Sequence, residues 1–191
     1  MEYKIYLFRH GQSKYNKSKR FTGWLDIGLT KKGIFQSKII ANKLKNKKFQ
    51  AAFQTKLSRS KDTLKYVLKY HPECKKIITD NRMIERSYGI FQGKYHKTII
   101  DKYGKKQFDL WHRSYDIPLP KGESIKQVEK RVLSFIKDLI KFIKKNKVNV
   151  AISAHGNSMR PFRRYFEKLT IKQMLQLENP YDNYFEYTIK V

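Results

Sequence analysis

The chain has 191 residues, of which 40% are hydrophobic and 14% aromatic, and its formal net charge is +27 at pH 7. This length and apolar content exclude an intrinsically disordered chain and predict a globular domain with a substantial core. No apolar run approaches the length of a membrane span, the residues after Met1 lack a signal-peptide pattern, and Cys74 has no second cysteine to pair with. We therefore expect a cytoplasmic protein without membrane association.

The large positive charge raises the question of nucleic-acid binding. The sequence has 43 lysines and arginines against 16 aspartates and glutamates, but the lysines are spread over many segments, such as 43–48 and 141–145. No nucleic-acid motif is present, and the aromatic residues do not alternate with basic residues as in a stacking platform. A basic binding module stays a distant alternative, and we do not expect nucleic acid as a partner. The positive field would attract a small phosphorylated anion.

The first half of the chain alternates strands with helices. Residues 3–8 predict a buried strand, and residues 11–29 predict a long polar loop of the kind that is usually functional. Thr30 is a candidate N-cap and Ser58 another. The further predicted elements are a helix over 31–47, a strand over 50–55, a helix from 58 to about 71 and a short strand over 75–79.

The second half repeats this alternation after an interruption. A glycine-containing loop over 80–93 precedes two short helices, and Pro118 and Pro120 then break the chain. The remaining predicted elements are an amphipathic helix over 123–146, a nearly all-apolar strand over 148–154, a helix after Gly156, a helix over 171–177 and a strand over 184–190.

This alternation predicts an α/β fold, a three-layer sandwich with a mostly parallel central sheet. We expect one domain over residues 1–191, with a small helical cap insertion at about 80–121 that holds helices near 96–103 and 105–114.

Two short segments echo each other, LFRHGQS at 7–13 and ISAHGNS at 152–158. His10 and His155 each follow a predicted strand, and ligands of open α/β sheets bind at the carboxyl ends of the strands. If the two strands are neighbours, the imidazoles converge. The glycine after each histidine allows close approach of the backbone to a ligand, and the helix after Gly156 offers N–H groups to an anion.

These residue types favour phosphoryl transfer. No histidine or carboxylate spacing indicates a metal site, and no glycine-rich phosphate loop is present, so we expect no metal. A neutral His10 can attack a phosphoryl group, while Arg9, Arg59 and a protonated His155 balance the charge of its oxygens. Glu85 is the best candidate for the acid that protonates a leaving alkoxide, although an ion pair with Arg86 or Arg82 is an equal alternative.

Three longer segments resemble one known family. RHGQSKYNKSKRFTGWLDIGLTKKG (9–33), ERSYGIFQG (85–93) and AHGNSMR (154–160) resemble the cofactor-dependent phosphoglycerate mutase branch of the histidine phosphatase superfamily. The resemblance implies interconversion of 3-phosphoglycerate and 2-phosphoglycerate through a phosphohistidine, primed by 2,3-bisphosphoglycerate and without a metal. The expected partner is a small phosphorylated substrate, and the chain is expected to be a monomer or a homodimer.

The resemblance also assigns roles to individual residues. It implies that His10 is the nucleophile, that Glu85 is the general acid and base, and that Arg9, Arg59 and His155 bind the transferring group. Asn16 and the backbone of Gly156 would complete the phosphate pocket. The residues implied to line the substrate site are Ser13, Thr22, Gly23, Arg86, Tyr88, Arg113 and Asn157, and His96 is a further substrate-binding candidate.

The sequence departs from the family pattern in places that concern substrate retention. His96 stands where the family has lysine, and Trp111-His112-Arg113 replaces a tryptophan followed by two arginines. The segment from Tyr115 to Glu123 is short, and the chain ends at Val191 without the tail of longer members. We expect a mutase with phosphatase leakage, and the alternative is a broad-specificity phosphatase that hydrolyses small phosphate monoesters. Whether His96 and His112 replace the cations is left open.

Overall fold

The computed structural model describes residues 1–190 and contains one five-stranded sheet. The strands are β1 (Glu2–Arg9), β2 (Ala51–Gln54), β3 (Lys76–Thr79), β4 (Val150–Ala154) and β5 (Tyr184–Lys190), in the spatial order β3-β2-β4-β1-β5. The first four strands are mutually parallel, and β5 is antiparallel to β1. The predicted α/β fold with a mostly parallel sheet is confirmed.

Eight α-helices accompany the sheet within the described part of the chain, and none of them is long and apolar enough to cross a membrane. They are α1 (Lys14–Lys17), α2 (Lys31–Leu44), α3 (Ser58–Leu68), α4 (His96–Tyr103), α5 (Lys105–Arg113), α6 (Ile125–Asn146), α7 (Gly156–Glu167) and α8 (Ile171–Gln176). Short 3-10 turns span Asn81–Met83 and Gly89–Phe91.

Most predicted elements agree with these bounds within a few residues, and two details differ. The segment 11–29 contains the short helix α1, because the side chains of Ser13 and Asn16 form a capping box at its start. Ser58 is the first residue of α3 rather than its cap; the N-cap position is Leu57, which contributes no side-chain hydrogen bond.

The two faces of the sheet bury separate apolar clusters. Ile5 and Leu7 pack with residues of α6 and α7, such as Phe135 and Phe162. The alternating residues Tyr6 and Phe8 pack on the opposite face with apolar side chains of α2 and α3. This alternation follows from the period of two along a strand, and it produces the three layers that the sequence predicts.

The stretch predicted as a cap insertion, 80–121, carries both 3-10 turns and the helices α4 and α5. Its apolar side chains form a third cluster, which includes Tyr88, Phe91 and Phe108, around the buried ring of Phe21. Phe21 comes from the loop after β1, so this cluster attaches the 80–121 stretch to the loop that follows His10.

The register of β1 and β4 brings the two candidate histidines together. Arg9 pairs with Ala154 in the parallel ladder, so His10 and His155 leave the sheet side by side. The His10 backbone N–H donates to the Ala154 carbonyl at 3.0 Å.

The start of α2 packs directly against the loop after His10. A Cβ atom on Gly33 would lie 2.1 Å from the Gln12 carbonyl oxygen, whereas a Cβ atom on Gly28 would meet no atom within 4 Å. We expect Gly33→Ala to lower the free energy of unfolding by about 1–3 kcal/mol, because backbone must move to make room. Gly28→Ala is the matched control and should be close to neutral. Urea unfolding measures both, and equal stabilities for the two variants would contradict the prediction.

Candidate active site

His10 and His155 lie at the carboxyl edge of the sheet, and their ring centroids are 4.9 Å apart. Both residues are buried. The Nδ1 atom of His10 is 2.7 Å from the carbonyl oxygen of Gly11. Because a carbonyl oxygen only accepts hydrogen bonds, Nδ1 carries the proton of a neutral ring, and Nε2 is left unprotonated, as a nucleophile requires.

Arg59 connects the His10 ring to the loop after β1. Its Nε atom donates to His10 Nε2 at 3.3 Å, and its two terminal nitrogens donate to the carbonyl oxygens of Gly23 and Leu25 at 2.7 and 2.8 Å. Burial lowers the pKa of the Arg59 guanidinium to about 10, so the group stays charged at neutral pH. Its position in the first turn of α3 fixes a positive charge beside the attacking atom.

Both histidines are neutral in this arrangement. Burial, with Arg59 as the next cause, lowers the pKa of His10 and of His155 well below the usual value. His155 Nε2 lies 2.8 Å from the Thr55 hydroxyl, and His155 Nδ1 is buried without a hydrogen-bond partner. An anion bound here would supply the missing acceptor and favour a proton on His155.

Glu85 lies beside the two histidine rings. Its Oε1 atom accepts hydrogen bonds from the backbone N–H groups of Arg86 at 2.8 Å and Asn157 at 3.1 Å. The predicted ion pair with Arg82 or Arg86 does not form, because Arg82 pairs with aspartates and the Arg86 guanidinium donates to carbonyl oxygens.

Ligand atoms of His10, Glu85 and His155 lie within 4.8 Å of one another, so these residue types could hold a metal. The charge of Arg59 against His10 Nε2 favours an anion over a cation at this position.

A cavity of about 210 Å³ opens beside these groups. Eight of the residues predicted from the sequence line it, namely Arg9, Asn16, Thr22, Glu85, Tyr88, His96, Gly156 and Asn157. His10, Arg59 and His155 adjoin it through the contacts described above. The structure therefore gathers most of the candidate residues, and their roles stay predictions.

Besides His10, Arg59 and His155, four predicted residues lie outside the lining of this cavity. Ser13 is buried and caps α1, and Gly23 contributes the carbonyl oxygen that receives Arg59. The Arg86 guanidinium is buried against the carbonyl oxygens of Glu123 and Trp111 at 2.6 and 3.0 Å. Arg113 lines a neighbouring cavity. Substrate contacts by these four side chains stay predictions that the geometry does not support directly.

Sequence reasoning missed several lining residues, which are Arg20, Phe21, Arg160, Leu177, Glu178 and Asn179. Arg20 and Phe21 are adjacent within the motif at 9–33, and their place in this motif could have identified them as lining residues. Arg160 ends the motif at 154–160, which gives it no role of its own. Asn179 carries no local signal, because its contacts are tertiary: its side chain donates to the Gly156 carbonyl oxygen at 2.9 Å, and its own carbonyl oxygen accepts from Arg9 at 3.0 Å.

Unpartnered polar atoms concentrate at this cavity. Among residues 1–190, six buried side-chain nitrogen or oxygen atoms lack a hydrogen-bond partner. Four of them belong to this site: Arg9 Nε, Arg20 Nε, Thr22 Oγ1 and His155 Nδ1. Buried polar groups are normally satisfied, and three of these four atoms carry protons, so the site is prepared for a ligand rich in acceptor oxygens.

One wall of the cavity is made of imidazoles on aromatic rings. The rings of His96 and His112 are 5.7 Å apart; His96 packs on Phe21 at 4.3 Å, and His112 stacks on Phe108 at 5.3 Å. Burial lowers the pKa of His96, and burial followed by the charge of His96 lowers the pKa of His112 to about 4. Before a ligand binds, this wall is therefore uncharged at neutral pH.

His112 should make the stability of the protein depend on pH. Its folded pKa of about 4 is below the ordinary 6.5, so the neutral ring stabilises the fold above pH 6.5 and this contribution is lost as pH falls towards 4. The variant His112→Phe keeps an aromatic ring on Phe108 but has no group that titrates. Between pH 6.5 and pH 4, we expect its free energy of unfolding to fall by on the order of 2 kcal/mol less than that of the wild type. Urea unfolding at both pH values measures the difference, and parallel losses would contradict it.

Comparison with known proteins defines the family in which this site occurs. The profile of the histidine phosphatase superfamily (branch 1) matches residues 5–189, so the chain belongs to that superfamily. A 2,3-bisphosphoglycerate-dependent phosphoglycerate mutase of Parvibaculum lavamentivorans is 38% identical over 177 residues, which cover 91% of this chain and 84% of the relative. A phosphoglycerate mutase of Schizosaccharomyces pombe is 38% identical over 178 residues with the same coverage. The resemblance predicted from the three motifs is confirmed.

Solved structures agree on the fold. A mycobacterial glucosyl-3-phosphoglycerate phosphatase superposes with a TM-score of 0.84 at 21% identity, covering 98% of this chain and 91% of the other. A phosphoglycerate mutase from Bacillus anthracis gives a TM-score of 0.83 at 22% identity, covering 99% and 88%. One scaffold therefore occurs in both phosphatases and mutases, so the activity has to be argued from the site.

Proposed function

We propose that this protein is a cytoplasmic phosphoglycerate mutase that interconverts 3-phosphoglycerate and 2-phosphoglycerate through a phosphohistidine at His10. One observation carries the proposal: His10 presents an unprotonated Nε2 between Arg59, His155 and Glu85, in a cavity with unpartnered donors. The site could support either a mutase or a phosphatase. Relatives that are 38% identical over 91% of the chain are named phosphoglycerate mutases, which favours the mutase reaction.

Phosphorylation of His10 starts with its Nε2 lone pair attacking phosphorus. The N–P bond forms as the bond from phosphorus to the ester oxygen breaks, and negative charge stays on the three non-bridging oxygens. Arg59 lies against Nε2, and its Nε–H would pass from the Nε2 lone pair to a phosphoryl oxygen as the N–P bond forms. Arg9 Nε carries a proton without a partner and can take the same role, and His155 Nδ1 can join it once that ring is protonated.

Glu85 moves the proton that balances this step. A protonated Glu85 gives its proton to the leaving alkoxide, and the resulting carboxylate later takes a proton from the hydroxyl that attacks phosphohistidine. Two backbone N–H groups hold Oε1, which leaves the other oxygen to exchange the proton. The phosphohistidine passes its phosphoryl group to the free hydroxyl of a bound monophosphoglycerate, which gives a bisphosphoglycerate. When this intermediate reorients and returns its other phosphoryl group to His10, the isomeric monophosphoglycerate is left.

The cavity also suits a second anionic group on the substrate. Arg20 and Arg160 line it together with the imidazole wall of His96 and His112. These residues would hold the second phosphate of 2,3-bisphosphoglycerate, which when bound supplies the phosphoryl group that charges His10. The unpartnered Arg20 Nε and Thr22 Oγ1 fit such a group.

One experiment tests the proposed function directly. Purified protein is given 3-phosphoglycerate with and without 2,3-bisphosphoglycerate, and both monophosphoglycerates are followed by ³¹P NMR. We expect interconversion that is stimulated by the bisphosphate, and an acid-labile phosphate on the His10 peptide. Absence of stimulated interconversion would refute the mutase.

A broad-specificity phosphatase is the second candidate, and the neutral imidazole wall favours it. A wall without permanent charge holds a departing glycerate less firmly than lysine or arginine would, so water has more opportunity to attack phosphohistidine. The ratio of released phosphate to transferred phosphate separates the two functions. Mostly free phosphate from many unrelated monoesters would identify a phosphatase.

A further inference from the structure

A second cavity, of about 490 Å³, adjoins the catalytic cavity. Three residues, His112, Arg160 and Glu178, line both. The second cavity lies between the end of α5 and the helix α8, and its further polar lining residues are Arg113, Lys172 and Gln176.

The charge of this second cavity is positive. Arg113, Arg160 and Lys172 face a single carboxylate, that of Glu178. His112 adds no charge at neutral pH, since burial lowers its pKa to about 4. Within residues 1–190, the side chains of Arg113 and Lys172 form no hydrogen bond or ion pair. Unpaired cations around a concave surface attract a multivalent anion more strongly than a monovalent one.

Arg160 is fixed at the wall between the two cavities. Its Nε donates to the Leu177 carbonyl oxygen at 3.3 Å, and its Nη1 donates to Asn157 Oδ1 at 3.1 Å. The remaining guanidinium donors can bind phosphate oxygens in the planar geometry that lysine lacks. The backbone N–H of Asn157 in turn donates to Glu85. An anion bound to Arg160 would therefore be linked to Glu85 through Asn157.

We propose that the second cavity binds a phosphorylated small anion, held by Arg113, Arg160 and Lys172, in addition to the phosphate ester bound at His10. The two binding sites share Arg160. The anion is either a separate molecule or the far end of a phosphate ester long enough to occupy both cavities, because both sources offer the same phosphate oxygens.

Isothermal titration with inorganic pyrophosphate tests this proposal on three forms of the full chain: the wild type, Lys172→Glu and Lys38→Glu. Lys38 is exposed on α2, across the sheet from α6 and α7, so its variant controls for the same change in net charge. We expect two bound pyrophosphates per wild-type or Lys38→Glu chain. We expect Lys172→Glu to bind one, with affinity for the second at least about tenfold weaker.

The remaining outcomes are also decisive. One pyrophosphate per wild-type chain would overturn the proposal, as would equal loss of the second pyrophosphate in both variants. Titration with hexanediol bisphosphate distinguishes the sources, since one bound molecule per chain indicates a ligand that spans both cavities and two indicate separate anions. Binding needs no turnover, so a failed mutase assay leaves this test intact, and an unchanged urea midpoint of unfolding for Lys172→Glu would verify its fold.

Discussion

Replacement of His10 by alanine should abolish turnover, with kcat reduced by roughly 10⁴–10⁶-fold, as expected when the nucleophile of a covalent mechanism is removed. The Gly11 carbonyl oxygen fixes the proton of His10 on Nδ1, so its Nε2 beside Arg59 is unprotonated. The acid-labile phosphate should disappear together with turnover. Rapid-quench labelling with ³²P-labelled bisphosphoglycerate measures both quantities in one experiment.

His71 provides a matched control for this variant. It is also a buried histidine, and it packs on Phe49 at 4.1 Å, but it lies near the end of α3, away from the catalytic cavity. His71→Ala should keep the phosphoenzyme and its turnover, although some stability will be lost. If His10→Ala still accumulated an acid-labile phosphate, the nucleophile would have to be sought elsewhere.

Replacement of Glu85 by glutamine should lower kcat for phosphoglycerate by about 10²–10⁴-fold, the usual contribution of a general acid or base. Glutamine can still accept hydrogen bonds from the two backbone N–H groups that hold Glu85, so the local fold should survive. The loss should be much smaller for phosphorylation by p-nitrophenyl phosphate, whose leaving group needs little protonation. Steady-state and burst kinetics with both substrates measure this difference.

Glu186→Gln is the control for the charge change in that experiment. Glu186 lies on β5 and pairs with Lys4 and Lys47, remote from the cavity lining, so its variant should match the wild type with both substrates. Equal losses for both substrates in Glu85→Gln would indicate that the residue positions its neighbours rather than transferring a proton.

The convergence of the candidate catalytic residues was predictable from the sequence because these residues follow strands. A histidine after a buried strand has a fixed place at the carboxyl edge of a parallel sheet, and neighbouring strands then define the distance between two such residues. Arg59 was identifiable for a related reason, since it lies in the first turn of a helix that follows the next strand.

The far side of the cavity was much less predictable. Leu177, Glu178 and Asn179 reach it from a segment between α8 and β5, and no pattern in that segment indicates which way it turns. Arg86 illustrates the same dependence: it follows Glu85 in its motif, and its guanidinium donates to the carbonyl oxygens of Glu123 and Trp111. Its predicted contact with the substrate stays a prediction. Loop side chains depend on tertiary packing, so local sequence gives their type but not their direction.

The bond from His10 Nδ1 to the Gly11 carbonyl oxygen has an evolutionary consequence. Enzymes that orient a histidine with an aspartate can lose the correct tautomer through one codon change. Here the acceptor is a peptide group, which every amino acid supplies, so a substitution can displace it but cannot remove it. A Cβ atom on Gly11 would lie 2.2 Å from the Gly33 carbonyl oxygen, so changes at Gly11 are the ones that should disturb the orientation of the His10 ring.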